Sequence, residues 1–110
     1  MKHFKLTDES KVIEGEITLF RIEATVDSKH AKAGEKGGWV EKEENLSGNA
    51  WVADDAWVFC KAQVYGGARV HGNAQVFGDA QVGGYARVCG KAHVYGYAEV
   101  YGDARVGGHA

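Results

Sequence analysis

Threonine is absent from residues 48–110, cysteine occurs only at Cys60 and Cys89, and no apolar run approaches the length of a membrane span. Each absence excludes something. Without threonine in its regular part, the chain cannot carry an ice-binding threonine array. Two cysteines are too few for a disulfide framework, so both are expected as reduced thiols. A membrane helix needs about 20 apolar residues, so no membrane partner is expected. No secretory leader precedes Met1-Lys-His-Phe-Lys5, which points to a soluble, cytoplasmic protein. Positive charge is not in excess either: the formal net charge is −2, and bulk attraction to nucleic acid is not indicated. Strings such as Gly83-Gly84 open no helix and so do not read as a phosphate cradle. Neither a Ser-His-Asp set nor a carboxylate pair emerges.

What is present is a period. From Ala50 to Ala110 alanine returns every sixth residue, and from Val52 to Val106 valine does the same two places later, with no gap or insertion. A fixed period this strict means that one small unit is stacked on copies of itself. Alanine and valine two apart point the same way in an extended strand, so each phrase supplies a short strand with one small and one β-branched residue inward. The glycine and its follower, as in Gly72-Asn73 or Gly102-Asp103, suit a corner that needs positive φ. One such strand buries nothing alone. Coiled into a solenoid at about 4.8 Å per coil, valine stacks on valine and alanine on alanine.

Spacing leaves the number of strands per coil open, and the outward residues decide it. With three strands per coil, one column reads Phe59, Phe77, Tyr95 and another reads Trp51, Arg69, Arg87, Arg105. With two, these residues scatter into mixed columns. Three strands sort the chemistry, and the expectation is an all-β, triangular parallel β-helix of about three and a half to four coils.

Phrases such as Ala74-Gln-Val-Phe-Gly-Asp79 and Ala98-Glu-Val-Tyr-Gly-Asp103 resemble the hexapeptide-repeat, single-stranded left-handed β-helix superfamily, best known for trimeric acyltransferases. The resemblance covers 63 of 110 residues and implies the left hand, which spacing does not; general chain chirality would favour the right. The entry Gly37-Gly-Trp-Val-Glu-Lys-Glu-Glu-Asn-Leu-Ser47 is similar to phage and prophage hexapeptide-repeat proteins, which implies a viral or prophage origin. Fold likeness of this kind says little about function.

Residues 1–48 are a different object, holding every isoleucine and ten of the fifteen acids. Phe4-Lys-Leu6 and the alternating run from Ile17 to Val26 read as strands joined through Asp8-Glu-Ser-Lys11 and Glu14-Gly15-Glu16. A small antiparallel hairpin or three-stranded sheet is expected over residues 1–38, lidding a β-helix over 39–110 within one compact domain. Val40 and Leu46 extend the valine register backwards, so the first coil should begin near Trp39. No second cap is evident, and an open last coil would fray or pair end to end with another copy.

Candidate sites follow from the columns. Phe59, Phe77 and Tyr95, with Trp57 beside them, are large rings outside a tube already filled by valine and alanine. They form a self-association surface or lie under the hairpin. Tyr65 and Tyr101, separated by Gly83, make a second strip with a notch. Arg69, Arg87 and Arg105 are either a solvated face or a site for a phosphate or an acidic partner, including Glu41, Glu43 and Glu44 of another copy. His71, on the same face as Cys89, is the candidate for a catalytic base. His93 and His109 are expected on other columns, so no three-ligand metal site is expected. No cofactor is expected.

The reading that results is a non-enzymatic protein-binding or assembly module, phage-encoded as the resemblance implies and directed at a host defence or regulatory complex. It is expected to form a trimer or end-to-end dimer and to have a host protein partner. The alternative is an acyltransferase with an acyl-CoA site between subunits and His71 as base. Against it stands the lack of any loop interrupting the repeats.

Overall fold

The computed structural model of the chain describes residues 3–13, 16–27 and 31–107. Three walls make a parallel β-solenoid of about four coils, each wall built from strands eighteen residues apart. Wall one stacks β3 (Lys36–Val40), β5 (Trp57–Val58), β8 (Gln75–Val76) and β11 (His93–Val94). Wall two stacks β6 (Gln63–Val64), β9 (Gln81–Val82) and β12 (Glu99–Val100), with Leu46 bridging to Val64. Wall three stacks β4 (Trp51–Val52), β7 (Arg69–Val70), β10 (Arg87–Val88) and β13 (Arg105–Val106). Val58 therefore sits on Val76, and Val70 on Val88, as the three-strand reading requires. Each coil donates amide hydrogens to the carbonyls of the next: Trp57 N–H to Ala74 O at 3.0 Å, Phe59 N–H to Val76 O at 3.0 Å, Lys61 N–H to Gly78 O at 2.9 Å.

Inside, the valines from Val52 to Val88 and the alanines from Ala50 to Ala92 are buried, in one continuous core with Val40 and Leu46. The small-plus-branched phrase explains this, because one valine and one alanine methyl per wall fill a tube of this width, with Leu46 at the valine position of the entry coil. The corners take positive φ. At Gly84 φ is +65°, and a β-carbon there would lie 2.7 Å from the amide nitrogen of Gly102. Two corners lack glycine. Asp54 (φ 57°) accepts a hydrogen bond from the Gly72 amide at 3.0 Å, and the Cys60 amide (φ 61°) donates to Glu41 Oε1 at 2.8 Å. Those bonds offset part of the strain of the left-handed conformation.

The entry coil is fastened by Asn45, which ends a single 3-10 turn (Glu43–Asn45) and is fully buried. Its amide donates to the carbonyls of Cys60 and Ala62 at 3.2 and 2.8 Å, and its oxygen accepts from the Glu41 and Lys42 amides at 3.1 and 2.9 Å. All four of its hydrogen-bonding positions are used, so a polar side chain can stand at the core without an unpaired group.

The N-terminal hairpin pairs β1 (Phe4–Ile13) with β2 (Ile17–Ala24), and β2 then runs antiparallel to β3. The hairpin thus continues wall one beyond the first coil. One expectation needs correcting: Asp8 to Lys11 is not a turn. These residues stay inside β1, and the register jumps there from Leu6↔Ile22 to Ser10↔Phe20. On an edge strand the outward side is solvated, so a polar run can bulge without breaking the strand. Val26 also lies beyond β2. Glu14 and Gly15 of the expected turn, and His109, lie outside the described residues.

Phe4, Ile22 and Ala24 close the core end over Val40, Leu46 and Val52. The same lid covers Trp51, which is only 2 % exposed and has the His3 ring 6.2 Å away. In the last coil Val100 and Val106 are half-buried while Ala98 and Ala104 are exposed. Among the described residues no helix is long and apolar enough to cross a membrane.

If the corners carry the stacking, Gly84→Ala should cost about 1–3 kcal/mol, from strain at positive φ plus the clash with the Gly102 corner. Urea denaturation measures it, and an unchanged midpoint would contradict stacked left-handed corners.

Candidate functional site: an arginine wall and a ring of tyrosines

The aromatic column divides in two. Phe59 and Phe77 stack at 5.1 Å and 9°, and Phe77 and Tyr95 at 5.4 Å and 10°. Coil repeat alone produces this face-on stack, because side chains in register repeat at the strand spacing. The hairpin, however, folds over the lower part. Ile13, Ile17 and Leu19 pack on Trp39, Trp57 and Phe59, leaving Phe59 3 % exposed. Lys11 Nζ lies over the Trp39 and Trp57 rings at 4.4 and 4.8 Å, and the Arg21 guanidinium over Trp39 at 5.0 Å. Burial beside these rings pushes the Lys11 amine below its ordinary value; Asp55 opposes the shift and Arg21 adds to it. Phe59 and Trp57 are thus hairpin contacts instead of open surface. Phe77 is half-buried and Tyr95 is 60 % exposed, so the stripe emerges only in the distal coils.

Tyrosines gather in that distal half. Tyr85, Tyr95, Tyr97 and Tyr101 are 64, 60, 85 and 61 % exposed. Tyr65 behaves differently. Its ring covers Gly83, where an added β-carbon would fall 2.2 Å from it, so this tyrosine fills the notch instead of flanking it. Tyr85 and Tyr97 were not singled out in the sequence because they occupy corner positions that elsewhere hold Asn, Asp, Lys, Gly or His. A ring at a hydrophilic corner was the available signal. Between walls two and three runs a groove of about 440 Å³, lined by Gly48, Asn49, Gly66, Gly67, Gly84 and Tyr85.

Wall three carries the arginines. Arg69, Arg87 and Arg105 are directly paired across the parallel ladder, about 4.8 Å apart per step. Neighbouring guanidiniums repel by roughly 1 kcal/mol in water. Among the described residues none of the three forms an ion pair, whereas the hairpin's charges do: Lys5–Glu23 at 3.9 Å, Arg21–Glu9 at 3.9 Å, Lys36–Glu9 at 3.6 Å. Arg69 Nε is shielded from solvent and meets no acceptor among the described residues. A second hollow, of about 470 Å³ beside the β1 bulge, is lined by those paired hairpin charges.

His71 follows Arg69 on wall three, one coil below Cys89. Burial lowers its pKa from 6.5, Arg69 and Arg87 lower it further, and Asp54 opposes them. The imidazole is therefore held toward its neutral form. His93 belongs to wall one, where it meets the Phe77 ring edge-on at 6.4 Å. Cys60 and Cys89 are both free. Among the described residues no three His, Cys, Asp or Glu side chains converge to hold a metal.

The chain matches no protein-family model, and no curated protein sequence matches it.

Because the folded His71 binds its proton less readily than the unfolded one, it favours the folded state above about pH 6.5. That contribution fades as pH falls from there toward the lowered folded value. An NMR titration should find the His71 midpoint below 6.5, rising in Arg69→Ser. A midpoint unmoved by the substitution would remove the arginine contribution.

Proposed function

We propose that the chain is a non-enzymatic protein-binding and assembly module, in which a rigid three-walled tube presents its distal tyrosines to another copy and its arginine wall to a partner protein. One observation carries it: the hairpin covers the aromatics of the first coils, while Tyr95, Tyr97 and Tyr101 stand exposed around the last one. Three exposed large rings within residues 95–101 of one coil mark an interaction surface, and a second copy supplies matching rings. The finer reading is a left-handed hexapeptide-repeat protein of phage or prophage origin, acting in the host cytoplasm on a defence or regulatory complex. It rests on the resemblance of the repeat phrases and of the Gly37–Ser47 entry. In this reading the module assembles as a trimer or end-to-end dimer.

A second reading, an acyltransferase with a donor site between subunits, keeps one point in favour: His71 is held toward its neutral, basic form. Against it, every link from Trp51 to Val106 is a tight corner, so no loop walls off a donor site.

Light scattering tests the module reading. The wild-type mass should be at least twice that of one chain, and Tyr95→Arg with Tyr97→Arg should reduce it to one. A single-chain mass for the wild type would discard self-association. A thermal shift with acetyl-CoA, reduced in His71→Ala, would favour the transferase instead.

A further inference from the structure

We propose that wall three, together with the groove along its leading edge, is a docking surface for an acidic amphipathic α-helix lying parallel to the solenoid axis. This deepens the binding-module reading and rests on it, naming the partner class that the arginine wall would take.

Spacing points to a helix. The guanidinium-bearing positions at Arg69, Arg87 and Arg105 stand at 0, about 4.8 and about 9.6 Å along the axis, since each step is one strand spacing. On a helix, carboxylates at i, i+3 and i+7 stand at 0, about 4.5 and about 10.5 Å, within about 1 Å of that ladder. An extended peptide presents same-face acids at about 6.6 and about 13 Å, which loses register by the third contact.

Charge points the same way. The three guanidiniums have no carboxylate partner among the described residues, and the shielded Nε of half-buried Arg69 meets no acceptor there. Burial is the main cause of the lowered His71 pKa, and Arg69 and Arg87 add to it against Asp54. A chain whose net charge is −2, with only this one arginine column, lacks the broad basic stripe that a nucleic-acid backbone asks for.

The groove supplies the apolar half. Gly67 and Tyr85 each lie two residues before a ladder arginine, so the groove runs alongside the column, about 6.6 Å away. A helix about 10 Å across spans both. One side then sets its acids on the arginines, while an adjoining leucine or phenylalanine enters beside the Tyr85 ring, which itself lies against Gly67.

The test is fluorescence anisotropy with a labelled, hydrocarbon-stapled helix of about 15 residues carrying Glu at i, i+3 and i+7 and Leu on the adjoining face. The full chain should bind it with a dissociation constant near the micromolar range, weakening at least about tenfold for a probe of equal composition with its Glu residues spread around the helix. Arg69→Ser with Arg87→Ser and Arg105→Ser should weaken binding by a similar factor, and Tyr85→Ala should weaken it separately. If the triple variant does not fold, Arg87→Glu decides: it should lose the original probe and regain one whose central Glu is Lys. Equal binding of both helices, or tighter binding of a single-stranded oligonucleotide of equal charge, overturns the proposal. No binding by a chain whose light-scattering mass exceeds one copy also overturns it, and leaves the assembly reading standing.

Discussion

Each coil but the last hands its amide hydrogens to carbonyls seventeen residues further on, and that single step governs the molecule. Because the step repeats without a slip from Trp39 to Val106, whatever the sequence writes every eighteen residues becomes a straight column in space. Valine columns become the core, glycine columns become corners, and arginine or aromatic columns become surfaces. No long-range folding code beyond this register is needed for the solenoid.

The cost of so regular a tube is that its first rung leaves an open core and a row of unpaired backbone groups. The hairpin covers the core and pairs the wall-one edge with one element, while β4 remains the end of its sheet. By continuing wall one it pairs the edge of β3, and by bending it sets Phe4, Ile22 and Ala24 on the core while Ile13 and Leu19 reach the outer face. Lys11 and Arg21 then clamp the tryptophans from above through their ring faces. The same act removes Phe59 from solvent and confines the exposed rings to the distal coils. Capping and display are thus two results of one packing choice.

The solenoid was legible because its information is periodic. Val40 and Leu46 announced the first coil, and the arginine column fell out of an eighteen-residue count. What the hairpin does was not legible, since its contacts join segments that share no period. Trp51 sits in the arginine column and reads as outward, yet it is buried in the core cluster that includes Phe4, with the His3 ring beside it. Asp8 to Lys11 has turn composition, but an edge strand absorbs it as a bulge. Tyr65 reads as exposed until Gly83 offers it a seat one coil higher. In each case the deciding neighbour belongs to another coil or segment.

The central claim is the eighteen-residue register, and through-hydrogen-bond NMR couplings test it most directly. The register predicts a coupling between the Phe59 amide nitrogen and the Val76 carbonyl, and likewise between Arg69 and Ala86. A coupling from Phe59 to the Val70 carbonyl would mean two walls instead of three. The arginine ladder and the groove beside it would then not exist.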